Sequence, residues 1–213
     1  MNKISAPVLA LAIIILSVKF TVSFKPLYYY DINHLNISNY TNLNKNEIKS
    51  AYDYLIYYVN SNHAADFKIP GLPSSPEGII HFQEVRNIFI KLNYILYICA
   101  AISILGIFNA FKKRNFRVLK WASWLSIIFA IGAAVPFAIN FNMSFTMFHK
   151  LFFSNNYWIF DPLKDPVINI LPEEFFFHCA ILILVLILTA SAVLMFVYKN
   201  LSGKLTSPSQ PRT

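Results

Sequence analysis

FHKLFFSNNYWIFDPLKDPVINILPEEFFFH, residues Phe148 to His178, lies between two long apolar runs and decides how the rest of the chain is read. With two histidines, four carboxylates and two lysines it is too polar to cross a membrane. With seven Phe, a Trp and a Tyr among about thirty residues it is too aromatic for an idle linker. Such a segment suits the interface between lipid and water, where aromatic rings with one wet edge collect. The runs on either side then read as membrane spans, and the search for chemistry begins at the interface.

Composition agrees. Of 213 residues, 56% are hydrophobic and 13% charged, and the mean hydropathy is +0.50, values outside the range of a soluble domain. Four spans are expected, at about 4–24, 88–111, 118–141 and 175–198, in an all-α single membrane domain. A small extracellular cap, mainly helical and aromatic-rich, is expected from 25–87 and 142–174. The formal net charge of +8 would suggest nucleic acid as a partner for a soluble protein. Here topology accounts for it. The short loop 112–117 and its flank carry Lys112, Lys113, Arg114, Arg117 and Lys120 with no acid, and the termini add Lys3, Lys199, Lys204 and Arg212. By the positive-inside rule these face the cytoplasm, which puts both termini there, all ten acidic residues outside, and leaves no role for nucleic acid. Cys99 and Cys179 both stand in apolar runs and imply no disulfide framework.

Helix signals place the histidines. Asn44 with Glu47 three residues on forms a capping box, and Ile48, Ala51, Tyr52, Leu55 and Val59 recur at helical spacing, predicting an amphipathic cap helix. Ahead of it, KPLYYYD reads as an aromatic cluster at headgroup level. Ser75, Pro76 and Glu77 open a second helix with a side-chain cap, Pro at the first position and an acid in the first turn. That helix carries His81, Glu84 and Arg86 without a break into the second span. The third span is expected to continue outward through NMSFTMFHKLFF, carrying His149. Counted from the span ends, His81 and His149 stand at similar depth, one to two turns beyond the apolar core. The Asp-Pro steps at Asp161 and Asp165 keep 155–171 out of a helix. The last helix starts at Pro172 and ends near Tyr198, with a disordered polar tail from Lys199.

His34 and His63 lie in polar loop sequence and read as solvated; His178 reads as the i+4 partner of Glu174. His81 and His149 each interrupt an aromatic helix face, which fits a catalytic or an interfacial structural role. The carboxylates Glu84, Glu173, Glu174, Asp161 and Asp165 either orient histidines or pair with Arg86, Lys150 and Lys164. HExxH, a G-x-S-x-G elbow and a Gly-rich phosphate loop are absent, so no metal and no cofactor is expected. What remains is histidine-centred acid/base chemistry on a lipid ester, in an aromatic-lined site with little water. A non-catalytic membrane protein binding lipid or lipoprotein through the cap, and a metal-assisted lipid hydrolase, are the alternatives.

The segments IIHFQEV, FHKLFF, YWIFDPLKDPVI and LPEEFFFH, in this order and with four spans around them, resemble the lipoprotein intramolecular transacylase family of low-GC Gram-positive bacteria. The resemblance covers nearly the whole chain. It implies an acyltransferase that moves the sn-2 acyl chain of a diacylglyceryl lipoprotein onto the α-amino group of its N-terminal cysteine, giving the lyso form. The partners it implies are the diacylglyceryl lipoprotein and membrane lipid, and the catalytic residues it implies are His81 and His149. Tyr157, Trp158 and Phe160 are expected to shape the pocket, with Glu84, Asp161, Asp165, Glu174 and His178 in support.

Overall fold

The computed structural model describes residues 2–62 and 66–206, and the side chains of 4–62 and 66–203. His63 and Arg212 lie outside the described residues. The described chain forms seven α-helices: α1 (Asn2–Ser23), α2 (Lys25–His34), α3 (Lys45–Asn60), α4 (Pro76–Lys112), α5 (Arg117–Ile139), α6 (Phe141–Phe152) and α7 (Glu173–Thr206). Short 3-10 turns occupy Ile37–Tyr40 and Pro166–Ile170. Four helices, α1, α4, α5 and α7, are long and apolar enough to cross a membrane. At 37 residues α4 is about 55 Å long against about 30 Å of hydrocarbon, so a substantial part of it extends past any bilayer.

The chain divides into two compact units, one made of Met1–Val18, Ile95–Ala134 and Ile183–Thr213, the other of Lys19–Tyr94 and Val135–Leu182. The first packs through small residues. Gly106 lets α1 approach α4 so closely that a β-carbon there would stand 2.6 Å from the Ser5 Cβ. Ser123 on α5 donates a hydrogen bond of 2.8 Å to the Ser191 carbonyl of α7, satisfying a buried hydroxyl. α7 runs on to Thr206, where a disordered tail from Lys199 was expected. Leu201, Tyr198 and Val197 pack against the buried cluster that contains Phe116 and Leu119, which ties this part of α7 to the rest of the unit.

The second unit has its core in the cap. The Asn44 side chain accepts the Asn46 and Glu47 N–H groups at 2.9 and 3.1 Å, while Glu47 accepts the Asn44 N–H at 2.7 Å, completing the capping box. From that start α3 buries Ile48, Ala51, Tyr52, Leu55, Tyr58 and Val59 as one face. KPLYYYD, expected as an aromatic cluster at headgroup level, contributes to the protein core as well, while Tyr30 stays exposed. It winds into α2, and Tyr28 is fully buried, stacked on Tyr52 with ring centroids 3.7 Å apart, its hydroxyl donating to the Ile170 carbonyl at 2.6 Å. The phenol reaches the core because that one carbonyl satisfies its polar end.

The third span and the His149 helix are separate elements, against the expectation of one continuous helix. Asn140 takes an extended conformation (φ −153°, ψ 100°) and its side chain caps α6 by accepting the Met143 N–H at 2.9 Å. An asparagine side chain competes with the helical ladder for backbone donors and favours this position over a helix interior.

Candidate active site

His81 occupies the second turn of α4, and its position is set by how that helix begins. The Ser75 hydroxyl accepts the Gly78 N–H at 3.0 Å, and Asp165 in turn accepts from the Ser75 N–H at 2.8 Å and from its hydroxyl at 2.6 Å. Asp165 is buried, and a carboxylate at a helix N-terminus is favoured by the dipole as well as by the hydrogen bonds. Its oxygen lies where a side chain at position 78 would begin, so glycine is required there for close approach. The loop after α6 is thereby fastened to the start of α4.

That loop closes over the two histidines. The rings of His81 and His149 lie 6.2 Å apart, centroid to centroid. Phe153 packs against both, at 4.7 and 5.8 Å. Phe160 meets His81 edge-on at 5.5 Å, and Trp158 stacks on His149 at 4.7 Å and 26°. His81 is 5% exposed; His149 is half-buried. Burial pushes the His149 pKa below the ordinary histidine value, while its hydrogen bond to the Phe145 carbonyl acts in the opposite direction. That bond, Nδ1 to the Phe145 oxygen at 2.8 Å, also fixes the tautomer: a carbonyl accepts, so Nδ1 carries the proton and Nε2 presents a lone pair. Three buried polar atoms here make no hydrogen bond within the protein: His81 Nδ1, Glu84 Oε2 and Trp158 Nε1.

The supporting residues separate into groups. Glu84 stands one turn beyond His81 and accepts from the Asn155 amide at 2.8 Å. It does not pair with Arg86, whose Nε donates to the Ser61 carbonyl and whose guanidinium lies over the Tyr58 ring. Asp161 is exposed and shapes a turn by accepting the Leu163 N–H; Asp165 serves the α4 cap. Neither engages a lysine: the ion pairs among the described residues are Lys25–Asp53 and His178–Asp31. His178 thus corrects the expected i+4 pair with Glu174, which is exposed; its Nδ1 bonds both oxygens of the fully buried Asp31, 147 residues away, at 2.9 Å. Asp31 reaches it because α2 turns that carboxylate inward, and a buried charge holds its partner more firmly than an exposed glutamate can. His34 is exposed, as expected, and stacks on Tyr30. Tyr157 is 38% exposed and stands outside the ring cluster. Phe153 and Asn155 were not singled out in the sequence, although both lie in the stretch that opened it. An open recess of about 500 Å3 around Asn39, Leu43, Gly71 and Pro166 holds no histidine or carboxylate. Among the described residues no group of three metal-ligating side chains converges.

The chain as a whole is similar to known proteins. The family model of the lipoprotein intramolecular transacylase Lit matches residues 3–176. The chain belongs to that family. The membrane integral lipoprotein intramolecular transacylase Lit from Bacillus cereus is similar throughout in structure, with a TM-score of 0.93 and 42% sequence identity over 96% of this chain and 95% of that one. Two further structures of the Bacillus cereus protein, one with a histidine changed to arginine and one with a histidine changed to alanine, match with TM-scores of 0.88 at 41% identity. Each covers 96% of this chain, and the shares of those chains are 91% and 93%. No curated protein sequence matches the chain. As a family member the protein is an all-helical integral membrane acyltransferase of lipoprotein maturation.

Proposed function

We propose that the chain transfers the acyl group at the sn-2 position of a lipoprotein's diacylglyceryl moiety to the α-amino group of the N-terminal cysteine, with His81 and His149 as the catalytic pair. The observation that carries this reading is the juxtaposition of the two imidazoles, 6.2 Å apart in a phenylalanine and tryptophan enclosure, with the Nε2 lone pair of His149 left available. Family membership supports intramolecular transfer.

Nucleophile and ester then belong to one substrate molecule. From the nitrogen through the cysteine and glyceryl atoms to the carbonyl carbon the cyclic transition state has about eight members, and freezing its rotors is the main obstacle that positioning removes. His149 Nε2 takes a proton from the amine as the C–N bond forms. His81 donates toward the carbonyl oxygen as it gains charge. The C–O bond to glycerol breaks, and His149 returns the proton to the glyceryl oxygen. Ester becomes amide, and no external nucleophile, metal or cofactor enters the balance. Two imidazolium charges this close in apolar surroundings would repel strongly, which favours neutral rings as the resting pair.

The basic loop between α4 and α5 and the positive-inside rule support cytoplasmic termini and a site at the outer face of the bacterial cell membrane, where lipoproteins carry their lipid. Mass spectrometry of a reporter lipoprotein's N-terminal peptide, in a host without this activity, tests the reading. One acyl on nitrogen and one on glycerol with the wild-type protein, abolished by His81→Ala or His149→Ala, is the expected result. An unchanged diacylglyceryl peptide beside well-expressed wild-type protein overturns it.

A further inference from the structure

Among the described residues Glu84 is the one carboxylate with a buried oxygen that makes no hydrogen bond. The others near it are occupied or exposed: Asp165 holds Ser75, Asp31 holds His178, and Asp161, Glu77 and Glu174 face outward. Burying an acceptor without a donor is unfavourable, and a carboxylate more so than most, so such a group is kept where a ligand supplies the donor. Glu84 is also held firmly. Its Oε1 accepts from the Asn155 Nδ2, and the Asn155 Oδ1 accepts the Tyr157 N–H at 3.0 Å, leaving Oε2 as the free arm. Glu84 is the third residue after His81, a spacing that sets both on one face of α4.

The donor follows from the chemistry. A carboxylate accepts and does not donate. In the transfer described above, the ester carbonyl is an acceptor throughout, and the departing glyceryl oxygen gains a hydrogen only at the last step, so neither satisfies Oε2 while the substrate binds and the nitrogen attacks. The α-amino nitrogen can: it is a cation when the substrate arrives, gives one proton to solvent to become the nucleophile, and becomes positive again as it attacks the carbonyl.

We infer that Glu84 is the amine-binding residue of the site, its Oε2 receiving an N–H of the N-terminal cysteine, with Asn155 holding the carboxylate in place. This rests on the proposed transfer. The nitrogen gives one proton to His149 Nε2 and keeps another directed at Glu84, so positive charge developing on nitrogen is met by a fixed negative group while the oxyanion is met by His81. Glu84 itself neither gains nor loses a proton over the cycle, and atoms balance as before.

The test uses two competitors that have no ester to transfer: a dialkyl-ether glyceryl cysteine peptide with a free amine, and the same peptide N-acetylated. Wild-type full-length protein is expected to bind the free amine about tenfold or more tightly than the acetylated form, and Glu84→Gln, which keeps shape and an acceptor for Asn155, to bind the two alike. With the diacyl substrate, Glu84→Gln is expected to lower kcat/KM by about 10- to 100-fold, and Asn155→Ala by less. Equal discrimination in wild type and Glu84→Gln overturns the inference, as does no discrimination in wild type. Wild-type protein that discriminates between the ethers but yields no N-acyl product instead strikes at the transfer reaction, so the two failures are separable.

Discussion

The indole of Trp158 lies face to face with the imidazole of His149, at 4.7 Å and 26° between planes. The contact does two things: it holds the ring against rotation about the Nδ1 bond to Phe145, and it brings a buried, unpaired indole N–H beside the reacting groups. Trp158→Phe separates them. If the stack is what matters, Phe retains activity within about fivefold while Ala loses about 10- to 100-fold; if the N–H stabilises the oxyanion, Phe falls as far as Ala. Single-turnover rates on a diacylglyceryl peptide decide it.

The sign of the pH effect follows from burial. His149 has its pKa lowered in the folded protein, so the unfolded chain binds more protons as the pH falls through about 6.5, the ordinary value. Stability is therefore undiminished above that value and decreases below it, down to the lowered folded pKa. Thermal unfolding in detergent between pH 7 and 5 should show a smaller loss for His149→Gln than for wild type. An equal loss would mean that other groups carry all of the acid sensitivity.

Removing the carboxylate at the start of α4 should disturb geometry before stability. Asp165→Ala deletes two charge-assisted hydrogen bonds to Ser75, a loss of about 2–4 kcal/mol, and frees the loop bearing Trp158 and Phe160. Gly78→Ala is expected to act alike for a different reason, forcing a methyl group against that carboxylate. Both should lower kcat at temperatures where the protein is still folded. Normal kcat in the folded fraction would show that the cap serves stability alone.

His178 should behave in the opposite way to His149. Its loss strands a fully buried Asp31, at about 3 kcal/mol or more, yet His178 is outside the catalytic pair. His178→Ala should lower the melting temperature while leaving kcat of the surviving protein within a few-fold of wild type. Adding Asp31→Asn should recover part of the stability.

What could be read from the sequence was what is local. Capping at Asn44 and Ser75, the period of α3 and the presence of four long apolar helices depend on neighbours within one or two turns, and they appear as written. Counting along helices set His81 and His149 at similar distances beyond their apolar runs, and their rings lie 6.2 Å apart, although α6 is a separate element after Asn140. Pairings set by tertiary structure were not legible. Nothing near His178 announces Asp31, and Lys164, three residues from Asp161 and next to Asp165, looked like a better partner for either than a backbone amide or a serine 90 residues away. The burial of Tyr28 was not legible because a tyrosine with a wet edge and one bonded to a distant carbonyl have the same sequence signature.

Gly78 and His81 are three residues apart, and that interval works as a ruler. At its lower mark the aromatic loop is pinned by Asp165; at its upper mark the imidazole is presented. Each added or deleted residue would turn His81 by about 100° and shift it by about 1.5 Å while the loop stayed anchored. Length variation should therefore be tolerated better upstream of Ser75, beside the exposed Pro73, than within these three residues. The number of residues between cap and imidazole matters here as much as their identity.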